Sequence, residues 1–144
     1  SFSERYGYVG ANPMILNESL RANLVYGNSR DISDEELLEH LKIFKTFENE
    51  DDYNLDNKIS NKTLSSGQMQ KIAYIRTIIH GVDILILDES TSNLDSESKK
   101  VIYKIIENLD ITIINSTHNP DELHGYDYHI KIDELSNEEI IKNE

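Results

Sequence analysis

The sequence contains no cysteine, only two prolines, and few basic residues. The lack of cysteine excludes a disulfide framework and is compatible with a reducing compartment. Fourteen Lys and Arg residues stand against 27 Asp and Glu residues, which leaves a net charge of -13. Nucleic-acid binding needs clustered Lys and Arg, so this balance argues against a nucleic-acid partner and against direct adsorption to anionic lipid.

Long apolar runs are also lacking. No run approaches the length of about 18 residues that a membrane helix needs, since the longest are broken by Arg76, His80 and Asp83. No signal peptide is visible. A length of 144 residues with 38% hydrophobic residues is enough for one domain with a core. The first residue is Ser1 and a strand is predicted close behind it, which favours a chain cut from a longer protein.

Hydrophobic periodicity predicts the helices and strands. Predicted helices are residues 17–26, a helix capped by Ser33 with Glu36, residues 66–79, a helix capped by Asp95 or Ser96, and a short last helix capped by Ser136 and Glu139. Predicted strands are residues 6–9, 84–87 and 111–114, the last two buried, and a half-exposed strand at 128–132. Residues 48–63 are predicted to form a surface loop. Strand, helix and strand in succession indicate a right-handed βαβ unit on a parallel sheet.

Two adjacent acids, Asp88 and Glu89, follow the apolar run 84–87. In open α/β sheets, ligands bind beyond the carboxyl ends of the strands. An Asp there can hold Mg²⁺, and a Glu can orient and deprotonate an attacking water. Neighbouring strand residues point to opposite faces, so the two acids are expected to aim differently. The alternative interpretation is a strand that ends in a solvated turn.

The segment Leu-Ser-Ser-Gly-Gln, residues 64–68, opens an amphipathic helix. Gly67 permits close backbone approach, Ser65 offers a hydroxyl, and the helix start presents unpaired N–H groups to an anion. An ordinary serine N-cap is the alternative. His118 follows the strand 111–114 and can touch a terminal phosphate, whereas the other four histidines are interpreted as structural or solvated. No two glycines have the spacing of the phosphate loop Gly-x-x-x-x-Gly-Lys-Ser/Thr.

Three motifs in this order, Leu64–Gln68, Asp88–Glu89 and Ser92–Asp95, resemble the signature sequence, Walker B strand and D-loop of the ATP-binding-cassette (ABC) ATPase family. The family usually reads Leu-Ser-Gly-Gly-Gln, so Ser66 stands in place of its first glycine. Residues 8–24 resemble the Q-loop region of ABC exporters, with Ala11 in place of the glutamine that contacts metal and water. The resemblance covers the whole chain, but only the carboxyl-terminal part of a cassette, without the Walker A segment.

The resemblance implies an α/β fold. The expected architecture is a partial RecA-like P-loop NTPase core with a parallel sheet (residues 1–13 and 81–144) and an all-α signature subdomain (residues 14–80). It also implies ATP and Mg²⁺ as cofactors of the complete domain. Asp88 would hold the metal, while Glu89 and His118 would be catalytic. The residues that would contact nucleotide or organise the dimer seam are Ser65, Ser66, Gly67, Gln68 and Asp95.

The implied function is ATP hydrolysis that powers transport across a membrane, with export favoured by the stretch Tyr8–Gly27. Implied partners are a transmembrane domain and a second nucleotide-binding domain in a head-to-tail dimer, at the cytoplasmic face of the cell membrane, with no nucleic acid. The isolated chain is expected to be inactive. Two alternatives stay open, a non-catalytic module and a non-transport ABC ATPase. The second is disfavoured because the 51 residues from Pro13 to Leu64 leave no room for a long coiled coil.

The resemblance has one further consequence for the sheet. In the family, the strand that leads into the phosphate loop lies between the strand ending near His118 and the strand 128–132. Without that strand, a gap with unpaired backbone groups is expected between these two elements.

Overall fold

A computed structural model describes residues 5–122, 124–132 and 138–142. The helices are α1 (Leu20–Val25), α2 (Asp34–Ile43), α3 (Ser66–Ile79) and α4 (Ser96–Glu107), with short 3₁₀ turns at Glu50–Asp52 and Pro120–Glu122. The strands are β1 (Tyr6–Gly10), β2 (Glu18–Ser19), β3 (Lys58–Ile59), β4 (Ile84–Asp88), β5 (Thr112–Ser116), β6 (Tyr128–Ile132) and β7 (Glu138–Lys142). None of the helices in these ranges is both long enough and apolar enough to cross a membrane.

A three-stranded parallel sheet in the order β1–β4–β5 forms the α/β part. Its register places Gly10, Asp88 and Ser116 side by side, so the carboxyl ends of all three strands share one edge. The segment β4–α4–β5 is the predicted parallel βαβ unit. Leu85 and Leu87 of β4 are buried in the core. The predicted α/β class with a parallel sheet is therefore confirmed.

The helix α3 is the centre of the structure, because it contacts α1, α2 and β1. Its predicted bounds are confirmed, and its buried side chains include Ile72, Tyr74 and Ile75. The guanidinium of Arg76 donates to the backbone oxygens of Asn23 at 2.6 Å and Met14 at 2.9 Å. The helix α3 thus ties α1 and the segment before it to the sheet.

Two expectations about strands are wrong. The strand β5 is not buried, since its Ile114 is 56% exposed. The reason is that no described residues cover this side of the sheet. The predicted last helix is instead the strand β7, which pairs antiparallel with β6. Its adjacent apolar residues Ile140 and Ile141 do not form a helical stripe. Ser136, its expected cap, lies outside the described residues.

Three smaller expectations also need correction. The first helix begins at Leu20 rather than at residue 17, because Glu18–Ser19 pairs as β2 with β3. The predicted surface loop contributes Leu55 and Ile59 to the core. Tyr128, Ile130 and Ile132 of β6 are 63%, 58% and 72% exposed, so this strand is more exposed than expected.

The expected gap in the sheet is present. Among the described strands, β5 pairs only with β4, and β6 pairs only with β7 in a separate hairpin. The outer edge of β5 therefore offers unpaired backbone groups to another strand.

Candidate active site

Asp88 is the last residue of β4 and its carboxylate is exposed. The hydroxyl of Tyr8 donates to Asp88 Oδ2 at 3.1 Å, and this hydrogen bond is the main reason why the pKa of Tyr8 is raised. Tyr8 is paired with Ile86, two residues before Asp88, so both side chains leave the same face of the sheet. Sequence reasoning missed Tyr8, since only the strand register brings it to the acid.

Glu89 does not continue the strand. Its backbone has φ +49°, in the left-handed region, and its N–H donates to the oxygen of Ser116 at 3.0 Å. A non-glycine residue held there costs about 1–3 kcal/mol, and such residues cluster at active sites. The expected alternation along a strand therefore does not apply to Glu89, because the chain turns after Asp88.

His118 approaches this turn from the next strand. Its Nε2 lies 3.5 Å from Glu89 Oε1, and the pair is ionic when the imidazole is protonated. Glu89 is 29% exposed, whereas His118 is 93% exposed and open to solvent. The structure thus brings Asp88, Glu89 and His118 to one edge of the sheet, with the imidazole directly beside the second acid.

A turn covering residues 89–95 connects β4 to α4. It is closed by backbone hydrogen bonds from Ser92 to Glu89 and from Leu94 to Thr91. The buried hydroxyl of Ser90 is hydrogen-bonded to the hydroxyl of Tyr74 in α3. The residue directly after Glu89 is therefore anchored on the helix that begins with the Leu-Ser-Ser-Gly-Gln motif.

Ser65, Ser66, Gly67 and Gln68 of the Leu-Ser-Ser-Gly-Gln motif lie at the start of α3. The Ser65 hydroxyl accepts from Gln68 N at 3.1 Å and Gln68 Oε1 accepts from Ser65 N at 2.9 Å, which completes a capping box. Ser65 and Ser66 are exposed. A Cβ atom on Gly67 would lie 3.2 Å from the backbone oxygen of Asn93, so the glycine allows the helix to approach the turn 89–95.

Asp95 ends that turn and caps α4. Its carboxylate accepts from Ser98 N at 2.7 Å, and this backbone hydrogen bond is the main cause of its lowered pKa. The carboxylate is exposed, in agreement with a position on a surface.

Acid should weaken the fold through Asp95. Because its folded pKa lies below its unfolded value, the stabilisation is present above about pH 4 and is lost as pH falls through the folded pKa. The variant Asp95→Asn keeps a capping acceptor but cannot titrate. We expect its denaturant midpoint to fall less steeply between about pH 5 and pH 2. Equal slopes for the two proteins would contradict this role.

The residues fit a metal that is shared with phosphate groups. The described residues hold no group of three or more His, Asp or Glu side chains that could bind a metal by themselves. Magnesium, however, is usually held by one or two carboxylates together with substrate phosphates and water. The single exposed carboxylate of Asp88 fits that kind of site.

Comparison with known proteins shows the family of the chain. The model of the family described as ABC transporter matches residues 1–92. The chain belongs to the ABC transporter family. The matched range includes residues 64–68 and the acids Asp88 and Glu89, on which the resemblance to this family rests.

Curated relatives are similar over most of the chain. The sublancin-168-processing and transport ATP-binding protein SunT of Bacillus subtilis (strain 168) is 36% identical over 125 residues, 83% of this chain and 17% of the relative. The ATP-dependent lipid A-core flippase of Francisella tularensis is 33% identical over 105 residues, 70% of this chain and 17% of the relative. The chain therefore spans about a sixth of the length of these relatives.

A solved structure of a bacterial Atm1-family ABC exporter with ATP bound shares the fold. The two match with a TM-score of 0.73 and 24% identity, over 86% of this chain and 23% of the exporter chain. The α/β fold of the chain thus has a structural counterpart in this exporter.

Proposed function

We propose that this chain is the carboxyl-terminal part of the ATP-binding and ATP-hydrolysing domain of an ABC exporter. The observation that carries the proposal is Glu89, held in a left-handed turn directly after the central strand β4, with its Oε1 3.5 Å from Nε2 of His118. Family membership supplies ATP as the nucleotide. The relatives, named as transport and flippase proteins, support export across a membrane.

Each side chain at the sheet edge has a distinct task in this proposal. Asp88 would hold Mg²⁺, which would supply charge neutralisation at the phosphates when bound. Glu89 orients a water and accepts its proton, and His118 steadies Glu89 and the terminal phosphate. Tyr8, which donates to Asp88, keeps one carboxylate oxygen in place.

The signature residues act across a dimer in this proposal. Ser65, Ser66 and Gly67 lie at the start of a 14-residue helix, where the two serine residues are exposed and the helix dipole favours an anion. Such a helix start suits phosphates held by a second nucleotide-binding domain. Gln68 supports it through the capping box, and Asp95 lies at the seam. Residues 14–80 form the helical subdomain. The parent protein acts at the cytoplasmic face of a membrane, where its partner is a transmembrane domain.

Substitution of Asp88 in the complete protein tests the proposal. We expect Asp88→Asn to lower Mg²⁺-dependent ATP turnover by about 100-fold or more, because an amide holds the metal poorly. Asp83→Asn is the matched control, since Asp83 precedes the same strand and pairs with Arg5 at the opposite end. Release of phosphate measures both. A wild-type protein without ATPase activity, or equal turnover of the two variants, would contradict the proposal.

The isolated chain should bind ATP weakly. A cassette holds the nucleotide mainly through its glycine-rich phosphate loop, and the sequence has no such loop. Titration of residues 1–144 with ATP and Mg²⁺ should give a Kd weaker than about 1 µM. The complete protein in the same buffer is the positive control. Submicromolar binding to the isolated chain would show that another part of it forms a cradle.

A further inference from the structure

Gln70 lies on α3, two residues after the signature sequence, and its side chain is fully buried. We propose that Gln70 is a positioning residue. It holds the turn 89–95, which carries Glu89 and Asp95, against α3, whose start carries the signature sequence. This inference rests on the proposed function, because its main consequence is measured as ATP turnover.

Both the nitrogen and the oxygen of the Gln70 side-chain amide form hydrogen bonds. Its Nε2 donates to the backbone oxygen of Gly10 at 3.1 Å, and its Oε1 accepts from the backbone N–H of Asn93 at 3.2 Å. Gly10 is paired with Asp88 at the edge of the sheet. One buried side chain therefore joins the end of β1, which borders the metal-binding acid, to the middle of the turn 89–95.

Two further contacts close the same connection. Asn93 Nδ2 donates to the backbone oxygen of Ala11 at 2.7 Å, so the turn is also tied directly to the end of β1. The backbone of Asn93 packs against Gly67, where a Cβ would meet its oxygen at 3.2 Å. The start of α3, the end of β1 and the turn 89–95 are therefore joined by hydrogen bonds and close packing, with Gln70 at the centre.

The chemistry of the link is specific to an amide. A side chain of this length must offer one N–H to Gly10 and one oxygen to Asn93 at the same time. Methionine matches its length and fills its volume but lacks both groups. Without the link, the turn can shift relative to α3 while the core stays filled, and a displacement of about 1 Å can cost up to about 100-fold in rate.

The test uses the complete protein with Gln70→Met. We expect kcat for ATP hydrolysis to fall by about 10-fold to 100-fold, with the KM for ATP changed by less than about 2-fold because bound nucleotide is not touched. Ile75→Val is the control, since Ile75 is equally buried on the same helix but lies outside the link. It should leave kcat within about 2-fold. Equal kcat for Gln70→Met and the wild type would overturn the proposal.

Hydrogen exchange separates positioning from loss of structure. In Gln70→Met, the Asn93 amide should exchange about 10-fold faster because it loses its acceptor, while the amides of α3 and β4 keep their protection. Faster exchange throughout α3 and β4 would indicate unfolding and would overturn the proposal. Exchange needs no ATPase activity, so an inactive wild-type protein would overturn the proposed function while this measurement still decides the link.

A second variant, Asn93→Ala, changes an exposed residue and leaves the core unaltered. Asn93 is exposed, so Asn93→Ala removes only the contact with Ala11. We expect a smaller fall in kcat, of about 3-fold to 10-fold, again without a change in the KM for ATP. A rise in KM at constant kcat would instead place Asn93 in nucleotide binding and would contradict a positioning role.

Discussion

Replacement of Glu89 by Gln in the complete protein should lower kcat for ATP hydrolysis by about 10²-fold to 10⁴-fold, the range contributed by a general base. The amide has the same size and can occupy the same left-handed turn. Its Oε1 can also still accept from His118, which lies 3.5 Å away in the wild-type protein. It cannot take a proton from water. The KM for ATP should therefore change little, and single-turnover phosphate release separates this chemical step from binding.

A matched control for this variant is Glu97→Gln. Glu97 is an exposed residue in the first turn of α4, a short distance after Glu89 in the sequence. Its side chain is also a carboxylate, but among the described residues the ion pair of His118 is with Glu89. We expect its turnover to stay within about 2-fold of the wild-type value. If Glu89→Gln also stays in that range, Glu89 is not the base.

Among the substitutions proposed for this protein, Tyr74→Ala should lower the free energy of unfolding the most. Tyr74 is fully buried, its ring centre lies 6.3 Å from that of Phe44, and its hydroxyl is bonded to Ser90. Tyr74→Ala would leave a cavity between α2 and α3 and cost about 3–5 kcal/mol. Small domains have about 5–15 kcal/mol in total. Urea unfolding of the chain, followed by circular dichroism, measures the change.

The variant Tyr74→Phe separates the ring from the hydroxyl. It keeps the packing against Phe44 and loses only the bond to Ser90, so its cost should be about 0.5–1.5 kcal/mol, or up to about 3 kcal/mol if the Ser90 hydroxyl stays buried without a partner. A loss equal to that of Tyr74→Ala would mean that the polar contact, and not the packed ring, stabilises this region.

The elements that were predicted well have their determinants close together in the chain. The bounds of α3 followed from the helical spacing of Met69, Ile72 and Ala73, and the serine N-cap that was the alternative interpretation of Ser65 is present. The caps at Ser33 and Asp95 are likewise hydrogen bonds to an N–H three residues later. Apolar strands were also recognisable, but burial was not. Ile114 is exposed because burial depends on what covers the sheet, which local composition does not record.

The candidate site likewise combines features that follow from local sequence with features that depend on tertiary contacts. The order of motifs, and with it the family and the acids at the end of β4, could be inferred from the amino-acid order alone. The left-handed turn at Glu89 could not, because it depends on the hydrogen bond to Ser116 in a neighbouring strand. The same holds for the bond from Tyr8 to Asp88, 80 residues apart, and that from Gln70 to Gly10, 60 residues apart. Such contacts follow from strand register and helix packing, which exist only once distant segments have met.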